Sequence, residues 1–311
     1  MSRNRSHVAQ VESSSAGIDP VAYRYDRPVT FYVLASAITW ALWLVAGRLS
    51  HLPDQTATVR FLTAAAGLAG LAAPMVVAAI LISRRPGLWA DVRSRLLWKR
   101  GTSRWYLLLV FLLMPASLVA AQAISLLFGY SGDQFLLRTE PSFTSGLLPV
   151  WVILGLAPIV EEIAWHSYGT DTLITRMRLF WASLLFVVFW ALWHLPLAMI
   201  KGYYQAELVE EGWLTALNFP VSMIAFVFLM NWLYYRTGRS IAAAIIFHFV
   251  ANYANEIFQT DPDTKFIQTG LLLILTVVVV ARNRELFFSR PARSQRREPV
   301  APAPGPVPVN A

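Results

Sequence analysis

Charged residues are scarce in this chain: Asp, Glu, Lys and Arg make up 14% of its 311 residues, and hydrophobic residues make up 56%. A soluble domain carries roughly a quarter charged residues, so a water-soluble globular protein is excluded. Cysteine is absent, which excludes disulfides, thiolate metal sites and cysteine nucleophiles. The high apolar content excludes a disordered chain. The mean hydropathy of +0.50 instead indicates a membrane protein.

Long runs without a charged residue occur throughout the chain. A helix needs about 20 mainly apolar residues to cross the hydrocarbon core of a bilayer. The uncharged runs are 29–47, 61–83, 105–132, 141–160, 179–200, 212–235, 240–255 and 266–281. The last two are short, but the seventh extends past Glu256 to Phe258. No alternating strand pattern indicates a barrel, so we predict an all-α integral membrane protein with eight transmembrane helices.

Lys and Arg are unequally distributed between the loops that join these runs. When the loops are assigned to alternate sides, 21 of the 26 basic residues share a side with the termini and five lie opposite. By the positive-inside rule, both termini are expected to be cytoplasmic. Topology thus explains the net charge of +8, and no nucleic-acid partner is expected.

This topology predicts three regions. They are a cytoplasmic segment 1–28, a membrane domain 29–281, and a tail 282–311 that is basic and then Pro-rich and disordered. The basic segment 84–104 fits either a short amphipathic helix on the inner membrane surface or a simple loop.

Ionisable groups within the apolar runs are the functional signal, because a charged side chain at mid-membrane costs about 2.5–3.5 kcal/mol on insertion scales. The polar groups concerned are Glu161, Glu162, His194, His248 and Asn252. Helix residues four apart share a face, so His248 and Asn252 point together, as do Glu162 and His166. In the simpler interpretation, Glu161 faces a polar cavity and Glu162 contacts His166 and is held in place by it. The reverse assignment of the two carboxylates fits the spacing as well.

This set of side chains favours hydrolysis. A carboxylate beside two imidazoles and an amide suits general-base activation of water and stabilisation of an oxyanion. Glu161, His194 and His248 are also the residue types that bind zinc, so a metal-assisted reaction is the second hydrolytic interpretation. Proton-coupled carriers bury Glu and His too, so the alternative is a transporter or a scaffold protein that uses the cluster for coupling or helix packing.

Three motifs resemble those of the CPBP family, the CAAX-protease and bacteriocin-processing membrane proteins also called Abi. Residues 161–168, Glu-Glu-Ile-Ala-Trp-His-Ser-Tyr, are similar to the first motif, Glu-Glu-x-x-x-Arg. Residues 190–194 resemble the second, Phe-x-x-x-His, with Trp190 in place of Phe, and residues 248–252 match the third, His-x-x-x-Asn. The three occur in order within a motif core, 150–258.

The resemblance implies an intramembrane endopeptidase related to the type II CAAX prenyl protease. It implies that Glu161 activates water, that Glu162 belongs to the catalytic set, and that His194, His248 and Asn252 position the water or stabilise the oxyanion. Members of the family have been described both as metalloproteases and as metal-independent glutamate proteases, and some act in bacteriocin immunity. We therefore expect cleavage of a membrane protein or lipidated peptide near the cytoplasmic side, by a multi-pass protein of a bacterial plasma membrane.

His166 departs from this pattern, because the family has Arg there. Arginine is always charged, whereas histidine titrates near neutral pH. The substitution predicts a weaker brace on Glu162 and a more pH-sensitive site, or alternatively a pseudoenzyme.

Overall fold

The computed structural model describes residues 20–98, 101–144 and 146–289, and these are almost entirely helical. The α-helices are α1 (Pro28–Ser50), α2 (Ala57–Ser83), α3 (Leu88–Arg95), α4 (Arg104–Ser125), α5 (Val150–Ala164), α6 (Thr170–Ile174), α7 (Leu179–His194), α8 (Tyr204–Glu211), α9 (Trp213–Arg236), α10 (Ile241–Ile257), α11 (Pro262–Arg282) and α12 (Arg284–Phe288). A π-helical turn, Trp165–Gly169, joins α5 to α6. The prediction of an all-α protein is confirmed for the described residues. Most of the predicted segments 1–28 and 282–311 lies outside them.

The helices make this a multi-pass membrane protein. Within the described residues, seven segments are long and apolar enough to span a bilayer: Pro28–Ser50, Ala57–Ser83, Arg104–Phe128, Val150–Ile174, Leu179–Met199, Trp213–Arg236 and Pro262–Arg282. The remaining predicted span, the seventh in chain order, corresponds to α10, which is apolar but has only 17 residues. At about 1.5 Å per residue it is roughly 25 Å long, shorter than a typical hydrocarbon core. Seven of the eight spans therefore meet the length requirement.

The lipid-facing surface is visible in the exposed apolar side chains of the spans. Val33 is 58% exposed, Ile274 66% and Val277 68%. So large an apolar surface marks contact with a membrane rather than with water.

Local capping signals set where several helices begin. The Ser240 hydroxyl accepts a hydrogen bond from the backbone N–H of Ala243, 3.2 Å away, at the start of α10. The Asp261 carboxylate caps α11 by accepting from the N–H of Asp263 at 2.9 Å, with Pro262 in the first turn. Such caps satisfy N–H groups that have no partner within the helix.

Close packing of α1 against α2 depends on glycine. The Trp43 indole donates a hydrogen bond to Gly67 O at 2.9 Å, and the Thr39 hydroxyl donates to Gly70 O at 2.8 Å. A Cβ at Gly70 would lie 2.3 Å from Trp43 Nε1, so the ring occupies the space that a side chain would need.

The basic segment 84–104 forms the short helix α3 over eight of its residues. Leu88, Val92 and Arg95 are buried on one face, while Arg93 is exposed. The segment is therefore helical rather than a simple loop over these residues, and α3 buries a charged residue together with its apolar ones.

Candidate active site

Glu161 lies near the end of α5 and is 5% exposed. Its Oε2 accepts hydrogen bonds from the indole N–H groups of Trp190, at 3.1 Å, and Trp165, at 3.4 Å. Two neutral donors thus hold one carboxylate oxygen, and Glu161 lines a cavity. Glu161 thus faces a cavity, as the simpler interpretation of the sequence predicted.

Glu162, the next residue, points away from the cavity and is fully buried. Its Oε2 accepts from Nδ1 of His166, the predicted contact one helical turn later. Its Oε1 accepts from Nδ1 of His248 at 2.7 Å, which the sequence did not predict. Glu162 therefore braces two imidazole rings, one on its own segment and one on α10.

His194 and His248 have matching arrangements on separate helices. Nδ1 of His194 donates to the backbone oxygen of Trp190 at 2.7 Å, just as Nδ1 of His248 donates to Glu162. Because both rings use Nδ1 in this way, Nε2 is the nitrogen that remains for chemistry. The Trp190 ring packs against both imidazoles, with centroid distances of 5.6 and 5.5 Å.

Asn252 lies one turn after His248 on α10. Its side-chain amide contacts Leu154 O at 3.5 Å, a weak hydrogen bond, and it is half-buried at the cavity wall. An amide held this loosely can turn its N–H groups towards a ligand.

The cavity that these residues share has a volume of about 300 Å³. Its wall includes Glu161, Trp190, His194, His248 and Asn252. Of the predicted site residues, Glu162 and His166 are absent from this wall and lie behind it. The fold thus brings residues of α5, α7 and α10 to one space and adds a supporting layer beneath them.

The supporting layer contains residues that the sequence analysis missed. Nε2 of His166 lies 3.0 Å from Oδ1 of Asn231, whose amide donates to Oγ of Ser183 at 2.9 Å. Asn231 is fully buried in α9. A polar residue in an uncharged run was the available signal, since such residues usually pair with a neighbouring helix.

Arg95 of α3 was also missed, because it belongs to a basic segment. Its guanidinium is 1% exposed and lies 3.0 Å from both Asp171 Oδ2 and the backbone oxygen of His166. It also donates to Tyr234 Oη at 2.6 Å. Burial lowers the pKa of Arg95, but the nearby Tyr234 and Asp171 more than offset this, so its pKa is raised and it stays charged. Arg95 therefore ties α3 to the π turn that carries His166.

The predicted metal interpretation is not supported by a ligand cluster. Among residues 20–98, 101–144 and 146–289, no group of three or more His, Asp or Glu side chains is arranged to hold a metal ion. We therefore derive no reaction step through a metal.

The cavity reaches only one end of the helix bundle. Its lining residues there are Phe143, Thr144, Tyr203, Tyr204, Asn255 and Glu256. We call this the basic-poor end, because its loops carry five of the 26 Lys and Arg residues. The cavity therefore extends from Glu161 to the loops that join α7 to α8 and that precede α5.

The fold and the site together define a polytopic membrane protein with a carboxylate, two imidazoles and an amide around one buried cavity. A family model described as "Type II CAAX prenyl endopeptidase Rce1-like" matches residues 143–254, the stretch that contains all four groups. A CAAX prenyl protease 2 of Methanococcus maripaludis is 33% identical over 271 residues, which cover 86% of this chain and 98% of the relative. The chain belongs to the type II CAAX prenyl endopeptidase family, which is named for protease activity.

Proposed function

We propose that this protein is an intramembrane endopeptidase in which Glu161 activates the attacking water. The observation that carries the proposal is the meeting of Glu161, His194, His248 and Asn252 at one cavity of about 300 Å³. A positioned carboxylate can take a proton from water as a general base and return it as a general acid.

The reaction follows from the positions of these groups. A water at Glu161 loses a proton to the free carboxylate oxygen, and its oxygen forms a bond to the scissile carbonyl carbon. Nε2 of His194 accepts a hydrogen bond from the other O–H of the water and so orients it. The amide of Asn252, with the ring of His248 beside it, stabilises the oxyanion. The C–N bond then breaks, and Glu161 returns its proton to the departing amine.

Glu162 and His166 have positioning roles in this proposal. Glu162 fixes the ring of His248, and His166 fixes Glu162. The two ring nitrogens of His166 lie against Glu162 Oε2 and Asn231 Oδ1, so the ring joins Glu162 to α9. His166 thus holds Glu162 from the position of the family arginine, which supports an active enzyme over a pseudoenzyme.

For the substrate we propose a membrane protein or a lipidated peptide. The relative from Methanococcus maripaludis is named a CAAX prenyl protease. The cavity of this chain is lined by aromatic and aliphatic side chains, such as Trp43, Leu71 and Phe226, that suit an apolar anchor beside the peptide.

For the orientation we propose eight spans, counting α10 together with the seven longer helices, and cytoplasmic termini. The distribution of 21 basic residues against five supports this topology. A chain so oriented in a plasma membrane carries the loops of the basic-poor end outside the cytoplasm.

Peptide cleavage by the purified protein in detergent tests the function. A panel of fluorogenic peptides, with and without a prenylated C-terminal CAAX sequence, is incubated with the protein and analysed by mass spectrometry. We expect the Glu161→Gln variant to lose activity by about 10²–10⁴-fold, the usual contribution of a general base. Glu210→Gln is the matched control, because this exposed residue of α8 lies outside the cavity.

Two outcomes would contradict the proposal. Full activity in the Glu161→Gln variant would show that Glu161 is not the general base. Intact peptides across the whole panel, with a well-folded wild-type protein, would favour the transporter or scaffold alternative.

A further inference from the structure

A series of buried polar contacts runs from α7 through α9 to His248 of α10. Oγ of Ser183 in α7 accepts a hydrogen bond from the amide of Asn231 at 2.9 Å, and Oδ1 of Asn231 lies 3.0 Å from Nε2 of His166. Nδ1 of His166 contacts one oxygen of Glu162, and the other oxygen of Glu162 holds His248 at 2.7 Å. The first four of these side chains are fully buried, so each contact between them is shielded from solvent.

The presence of histidine at position 166 makes the contact with Asn231 necessary. An arginine carries five N–H donors on a long side chain, whereas an imidazole ring has only two nitrogens. One ring nitrogen of His166 lies against Glu162, and the other needs a partner inside the protein because a buried polar atom loses its hydration. Among the described residues, Asn231 is the side chain that meets this second nitrogen. His166 therefore depends on Asn231 in a way that an arginine would not.

Helix α9 also holds the backbone of the π turn that carries His166. Tyr234 lies three residues after Asn231, and its hydroxyl oxygen is 2.8 Å from the backbone oxygen of His166. The tyrosine ring packs against the imidazole, with 4.6 Å between the ring centroids. Residues three apart share a helix face, so α9 presents Asn231 to the ring of His166 and Tyr234 to its carbonyl group. These two contacts fix both the place and the rotation of the imidazole.

We propose that Asn231, supported by Ser183, is a positioning residue that fixes the ring of His166 and, through Glu162, the ring of His248. Asn231 does not line the cavity, so it acts on the reaction only through these side chains. The effect on catalysis rests on the proposed protease function, whereas the dependence of His166 on Asn231 rests on the contacts alone. Asn231 is needed because position 166 carries histidine, and its contribution falls in the His166→Arg variant.

A double-mutant cycle in the full chain tests this dependence. Asn231→Leu, which keeps a similar volume but removes both polar atoms, is made alone and in combination with His166→Ala or His166→Arg. Thermal unfolding in detergent and the kcat and KM of peptide cleavage are measured for each variant. Gln122→Leu is the matched control, because Gln122 is a fully buried amide of α4 that bonds Gln134 O and Thr260 Oγ1 and does not line the cavity.

We expect Asn231→Leu to lower kcat about 10-fold with KM nearly unchanged, because the lost hydrogen bond is remote from the substrate. The same substitution should lower kcat by less than about 3-fold when His166→Ala or His166→Arg is already present, since contacts that act together are not additive. Ser183→Ala should lower kcat about 3-fold, and it replaces Asn231→Leu in the cycle if that variant does not fold. Gln122→Leu should lower the melting temperature and leave kcat at the wild-type value.

Two kinetic results would overturn the proposal. Equal losses of kcat from Asn231→Leu in all three backgrounds would show that Asn231 acts independently of His166. A lower melting temperature with unchanged kcat would show that Asn231 is structural only.

The melting temperatures separate this proposal from the protease function, because unfolding needs no cleavage. If the wild type cleaves no peptide, the protease function fails, and the shifts in melting temperature still test the contact. Shifts from Asn231→Leu and His166→Ala that do not add would support the dependence of His166 on Asn231, and shifts that add would overturn it.

Discussion

Replacement of His166 tests how this chain manages without the arginine of the family motif. The ring is fully buried and joins Glu162 to Asn231. In His166→Ala both oxygens lose their contact with the ring, and Glu162 keeps only its 2.7 Å bond to His248. Leaving a buried acceptor unsatisfied costs about 1–3 kcal/mol, and more if it is charged.

We therefore expect His166→Ala to lower the free energy of unfolding by about 2–5 kcal/mol, since two buried acceptors are affected. The variant also displaces His248. If this displacement raises the free energy of the transition state by about 1.4–2.8 kcal/mol, kcat/KM falls roughly 10- to 100-fold. His166→Gln keeps a donor for Glu162 and is the matched control, with a smaller loss. His166→Arg supplies several N–H donors from the residue type of the family motif, so we expect it to retain activity.

The assay measures peptide cleavage from about pH 5 to 9, the range in which histidine titrates, and thermal unfolding in detergent for all three variants. Wild-type stability, activity and pH profile in both His166→Ala and His166→Arg would refute the brace. A loss of activity in His166→Ala that His166→Gln does not relieve would show that the volume of the ring matters and its hydrogen bond does not.

Three further predictions concern single contacts. Trp190→Phe removes the 3.1 Å donor to Glu161, and we expect kcat/KM to fall about 10-fold, as for a hydrogen bond to a charged group; unchanged kinetics would exclude this contact from the mechanism. Arg95→Met breaks a buried ion pair and should cost about 3–5 kcal/mol of stability, with Arg95→Lys intermediate; an unchanged melting temperature would contradict this. Gly70→Ala forces a Cβ against the indole of Trp43 and should cost about 1–3 kcal/mol, visible as a lower melting temperature; a more stable variant would show that the two helices simply move apart.

The sequence by itself determined the class of protein and most of the candidate site. Uncharged runs predicted the spans because a bilayer penalises charge, and the same penalty made Glu161 and Glu162 conspicuous. Spacing within one helix predicted the contact between Glu162 and His166, because residues four apart share a face whatever surrounds the helix. The length of α10 was less predictable, since its end depends on the loop that packs over it.

Only the tertiary structure decided how the helices face one another. Spacing along one chain segment could not show that Glu162 braces His248, 86 residues away, or that Arg95 supports the turn containing His166. Nor could it show which helices line one cavity. Periodicity defines directions around a single helix axis, whereas the rotation and depth of each helix relative to its neighbours are set by packing of side chains between them. That packing separates two adjacent glutamates into one that faces the cavity and one that holds its wall.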